Sequence, residues 1–147
     1  MKKTASFVLV PMVLALIALA ACQSASSVNK LSKEELYAPY AEQQPVFTGD
    51  YISVADADVP PKPAYAPPPV YPAEFKKAAF SGEATVDLIV LADSGMTTQV
   101  QVVKATNQGF AIAAADRLKT WRYAPAVKNG KHVNCLIRVP LDFNYVQ

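Results

Sequence analysis

Two cysteines, Cys22 and Cys135, and one histidine, His132, are the side chains of this 147-residue chain best suited to nucleophilic or metal chemistry. Cys135 lies in an alternating run with Val133, Ile137, Val139, Leu141 and Phe143 on the same face. That period belongs to a half-buried strand, so the thiol reads as a core residue. His132 follows Gly130-Lys131 at the exit of a turn, without a second histidine or a metal-ligand spacing around it. No G-x-S-x-G elbow and no phosphate-cradling glycine loop occurs. The adjacent acids Glu34 and Glu35 follow Ser32, where Glu35 completes a capping box rather than an acid pair. The reading is therefore not an enzyme: no catalytic residue, no metal site and no cofactor is expected.

Cys22 differs in its surroundings. Lys2-Lys3 precede an apolar stretch from Phe7 to Leu19, which is shorter than the roughly 20 residues that span a bilayer. The stretch ends in Leu19-Ala20-Ala21-Cys22. This order resembles the bacterial lipobox, in which the thiol receives diacylglycerol, the leader (1–21) is cut away, and the new amine is acylated, typically with palmitate. Several chains on one residue, at about 0.8 kcal/mol per buried CH₂, hold a protein on a membrane far better than one does. The competing readings are an uncleaved signal anchor and plain secretion. With Cys22 lipidated, Cys135 is the one thiol left and has no intramolecular partner. Gln23, rather than Asp, follows the lipidation point, which implies the outer membrane. The expected address is thus the cell envelope, lipid-anchored and facing the periplasm.

The formal charge is +2, or zero once Lys2 and Lys3 leave with the leader. No basic run or stacking-aromatic pattern accompanies it, so nucleic acid is not an expected partner. Residues 22–69 read as a proline-rich tether. Ser32 to Tyr37 would form one short helix stopped at Pro39. The run P-P-K-P-A-Y-A-P-P-P-V-Y-P, Pro60 to Pro72, favours polyproline II and a semi-rigid spacer of roughly 40 Å at about 3.1 Å per residue. A ligand for a proline-recognition module is the other reading.

Residues 70–147 read as the folded part. Ala73 to Phe80 suggests a short helix. Glu83 to Leu91 and Met96 to Thr106 form a hairpin about Asp93-Ser94-Gly95. Phe110 to Thr120 is a helix with Phe110, Ala114, Leu118 and Trp121 on one stripe. Asn129-Gly130 turns the chain into a last strand, Val133 to Phe143. The fold expected is α+β in two layers: two helices on a three-stranded antiparallel sheet of order 2-1-3, the last strand an edge. Pro140 fits an edge, since proline lacks the N–H that a ladder needs.

P-x-V-Y-P, G-E-A-T-V-D-L-I-V, D-S-G, W-R-Y-A-P-A, N-G and V-P-L-D-F, in this order from Pro69 to Phe143, together resemble the TonB C-terminal domain. The resemblance implies a small periplasmic domain that binds proteins, in the family an outer-membrane transporter segment added to the edge strand. Mapped here, the edge is Val133 to Phe143, with Asn134, Leu136, Arg138 and Asp142 facing away from the core. The chain departs from TonB in its lipobox, in an apolar leader without charge or histidine, and in a short proline segment. It is therefore expected to be a lipid-anchored accessory to envelope transport or to an envelope complex. The alternatives are a structural lipoprotein holding peptidoglycan or a neighbouring protein, and a true energy transducer whose leader is retained.

Overall fold

The computed structural model describes residues 31–145. Helix α1 (Lys33–Tyr37) begins at the expected capping box. The Ser32 side chain accepts from the Glu35 N–H, and the Glu35 carboxylate accepts from the Ser32 N–H at 2.8 Å. Pro39 forces Ala38 into an extended conformation and ends the helix. After a short strand β1 (Ile52–Ser53) and strand β2 (Lys62–Tyr65), helix α2 (Ala73–Lys76) leads into the hairpin of β3 (Gly82–Val90) and β4 (Thr97–Ala105). Helix α3 (Gln108–Leu118) follows, capped by Asn107, whose side chain accepts from the Phe110 N–H. The chain then forms β5 (Arg122–Ala124), β6 (Ala126–Lys128), β7 (Lys131–Val133) and β8 (Cys135–Phe143). Asn129 and Gly130 join β6 to β7 with φ of 50° and 72°, the turn geometry an Asn-Gly pair favours.

The main sheet runs β1-β8-β3-β4. Its last three strands are antiparallel in the expected order, with Val86 opposite Val139 and Leu88 opposite Ile137. The helices share one core with the inner face of the sheet. Phe110 is fully buried, stacked on Phe143 at 4.5 Å and tilted against Phe75 at 4.7 Å between ring centroids. Leu118, Trp121, Val86, Leu88 and Val90 continue the same cluster.

Three expectations are corrected. The sheet has four strands and is mixed, because β1 lies parallel beside β8, pairing Ile52 with Cys135 and Ser53 with Leu136. Two further two-stranded sheets, β2-β5 and β6-β7, accompany it. A third helix, α1, joins the helical layer, with Leu36 only 4% exposed in the core. The spacer expected over Pro60 to Pro72 is not a free rod. Lys62–Tyr65 pairs with β5, Val59 bridges to Val127, and the Trp121 indole N–H donates to the Pro67 carbonyl at 2.9 Å. Composition shows which residues lack N–H groups. It does not show that the groups left between them have partners waiting on β5 and β6.

Candidate functional site

Strand β8 alternates as its sequence suggests. Cys135, Leu141 and Phe143 are buried among the core, while Arg138, Pro140 and Asp142 are exposed. Residues of an antiparallel strand alternately aim both main-chain groups at the neighbour or away from it. Pro140 has no N–H to give β3, so the even-numbered residues are those that face outward. The Asn134 carbonyl agrees, because it accepts the Ile52 N–H from the β1 side at 3.0 Å. The four residues read from sequence, Asn134, Leu136, Arg138 and Asp142, therefore share that outward register.

They do not share one state. The Asn134 side chain is committed to structure: its oxygen accepts from the Ala92 N–H at 2.9 Å and its amide donates to the Asp50 carbonyl at 3.0 Å. Leu136 is paired with Ser53. Strand β1 thus covers the head of the edge that was expected to be open. Among the described residues no strand pairs with the outer side of β8 beyond Leu136. From there the edge presents the N–H groups of Arg138 and Asp142 and the carbonyls of Arg138, Pro140 and Asp142.

Arg138 makes two parallel hydrogen bonds to Asp87, both 2.7 Å. The Asp87 side chain is 7% exposed and that of Arg138 is 61% exposed. The Asp87 hydrogen bond, followed by its charge, holds the guanidinium above its ordinary pKa. The pair spans β3 and β8 on the face away from the helices and leaves the outer main-chain groups of Arg138 unused. Asp142 sits opposite Glu83 in register. Like charges opposite one another are unfavourable, and Lys104, at 3.1 Å from Glu83, offsets them.

Sequence reasoning missed four contributors: Ile52 and Asp87 at β8, and Gln99 and Gln101, whose side chains hold Thr48 and Val46 beside β4. Asp87 left a signal, an acid set between Val86 and Leu88 in the apolar half of β3. Gln99 left none, since its φ of 47° arises at an irregularity where β4 holds one residue more than β3. Burial raises the Cys135 thiol pKa, as befits a core residue. His132 is exposed on β7. Among the described residues there is no cluster of metal-ligating side chains and no helix long and apolar enough to cross a membrane. Cys22 lies outside the described residues.

The described residues thus form a small α+β domain with helices on one face of its main sheet and a strand edge that is partly open. The chain belongs to the TonB C-terminal family: residues 67–145 match the family described as Gram-negative bacterial TonB protein C-terminal. The solution NMR structure of the Pseudomonas aeruginosa TonB C-terminal domain is similar at 26% identity and a TM-score of 0.53, covering 65% of this chain and 94% of that one. A TonB2 protein from Vibrio anguillarum is 24% identical, with a TM-score of 0.47, over 74% of this chain and 99% of that one. Comparison with curated proteins found no match.

Proposed function

We propose that this chain is a lipid-anchored, periplasm-facing protein-binding module of the bacterial envelope. Acyl chains on Cys22 hold it, most simply to the outer membrane. Residues 70–147 form the module and residues 22–69 its anchored lead-in, which from Leu31 onward lies against the module. The module takes an extended segment of an envelope protein, such as an outer-membrane transporter, as an added strand beside β8 from Arg138 to Asp142, in an accessory role to envelope transport.

The observation that carries this reading is that, among the described residues, no strand pairs with the outer side of β8 beyond Leu136 in a domain of the TonB C-terminal family. Main-chain pairing there would supply affinity, and the outward side chains of Arg138 and Asp142 would supply selectivity. A photo-crosslinking residue placed at Asp142 in living cells should give a discrete protein adduct. The same residue at Lys119, exposed beyond α3, should not. Equal labelling from both positions, or none from Asp142, would sink the edge reading. Lipidation is read separately: radioactive palmitate should enter the chain, and Cys22→Ser should abolish incorporation and release the protein from membranes.

A further inference from the structure

Residues 43–53 run from β4, across the side of the sheet that faces away from the helices, to the head of β8. Apart from the Thr48 hydroxyl, which donates to Gln99, their hydrogen bonds to the sheet are made by their main chain. The Gln101 side-chain amide accepts from the Val46 N–H at 3.2 Å and donates to the Val46 carbonyl at 2.5 Å. Gln99 does the same for Thr48, at 2.9 and 2.8 Å. Asn134 donates to the Asp50 carbonyl, and the Ile52 N–H returns to the Asn134 carbonyl. The residues read are 46, 48, 50 and 52, which is the strand period.

Two glutamines thus act as a partner strand built from side chains. Each offers one acceptor and one donor, the pair a neighbouring backbone would offer. Gln99 reaches its place from a left-handed backbone conformation at the β4 irregularity, with φ of 47°. That conformation is uncommon for a residue with a β-carbon. None of the segment's side chains is fully buried: Pro45, Phe47 and Ile52 are half-buried, while Val46 is 75% exposed and Tyr51 38%. Asp50 is the one charged residue between Gln43 and Ser53. The contacts therefore recognise an extended backbone and make few demands on its side chains.

We propose that Gln99, Gln101 and Asn134 form a peptide-binding track, a second site apart from the Arg138–Asp142 edge. Its ligand class is an extended, nearly uncharged polypeptide, and residues 43–53 are its resident occupant, a strap that a segment of the same character replaces. Release of the strap also frees the Asn134 carbonyl at the head of β8.

The test disables the strap and leaves the track intact. Val46→Pro, Thr48→Pro and Ile52→Pro, combined in the full chain, remove three N–H donors from the occupant alone. The probe is a fluorescein-labelled synthetic peptide of residues 43–54, read by anisotropy. The strap-disabled chain should bind it on the order of tenfold or more tighter than the wild type, and adding Gln99→Ala and Gln101→Ala should remove a similar factor. A strap-disabled chain that keeps the native near-ultraviolet signal of Trp121 yet binds no better than wild type overturns the proposal. So does one that dimerises and excludes the peptide, since the surface then serves a second copy. Should the triple variant not fold, amide exchange in the wild type decides. Val46, Thr48 and Ile52 should exchange at least about tenfold faster than the β3 amides, through opening of the strap alone. Exchange in step with β3 would make the strap an integral part of the fold and end the idea.

Discussion

At the scale of residues, Arg138 and Asp87 carry the most consequence for the edge. Removing the guanidinium strands a carboxylate that is 7% exposed. Arg138→Ala should therefore cost about 1–3 kcal/mol in urea unfolding. The double variant Asp87→Ala/Arg138→Ala should recover part of that loss, because no unpaired charge remains. Tyr123 gives a second prediction. Burial pushes its phenol up to about 12, against about 10 in an unfolded chain. Between these values the unfolded tyrosine loses its proton while the folded one keeps it. Stability contributed by Tyr123 is thus fully present below about pH 10 and is lost as the pH climbs toward 12. Tyr123→Phe should flatten that fall by on the order of 1–2 kcal/mol across the window. That Asn134, Leu136, Arg138 and Asp142 lie opposite the core-facing residues of the last strand was legible from the alternation of Cys135, Ile137, Val139, Leu141 and Phe143. The partners of Asn134 were not, since they lie at Asp50 and Ala92, far along the chain.

Elements were legible wherever a local cause sets them. The Ser32–Glu35 box starts α1, Asn129-Gly130 turns β6 into β7, and the Phe110–Leu118 stripe predicts α3. Strand β1 was not legible, because two residues acquire strand character only from the neighbour they meet. Two glycines show how differently an identical sign of φ is used. At Gly95, φ is 66° and an added β-carbon would lie 1.8 Å from the Tyr123 carbonyl oxygen. Its own carbonyl accepts the Tyr123 N–H at 2.8 Å, which joins β5 to the β3–β4 hairpin. At Gly130, φ is 72° and nothing lies within 4 Å. Gly95→Ala should cost about 2–4 kcal/mol and loosen β5, whereas Gly130→Ala should cost only about 1 kcal/mol, both read by thermal unfolding.

At the scale of the molecule, the lead-in from Leu31 to Pro67 belongs to the fold. Leu36 enters the core, Tyr40 donates to the Val102 carbonyl at 3.2 Å, and Asp58 accepts from the Asn129 N–H at 2.6 Å. Proline content pointed to an extended chain here, and the chain is extended. What proline content does not encode is that β5, β6 and the indole of Trp121 lie along its path. A chain beginning at Val70 should therefore unfold several degrees lower than one beginning at Leu31. Leu36→Ala alone should cost about 2–5 kcal/mol, measured by circular dichroism on heating.

Residues 58–67, laid against Trp121 to Gly130, and the strap, laid against β4 and β8, also fix distance. On a chain anchored at Cys22 as proposed, nine peptide units separate the lipid from Leu31, a span of at most about 30 Å. With the lead-in docked, the module stays on a short leash beside its bilayer. Were the lead-in to peel away as far as Val70, forty-eight units would separate lipid from module, a span of up to about 160 Å. The segment that occupies the sheet is thus also stored rope, and on the proposed anchor its docking would set how far from the membrane the module can reach.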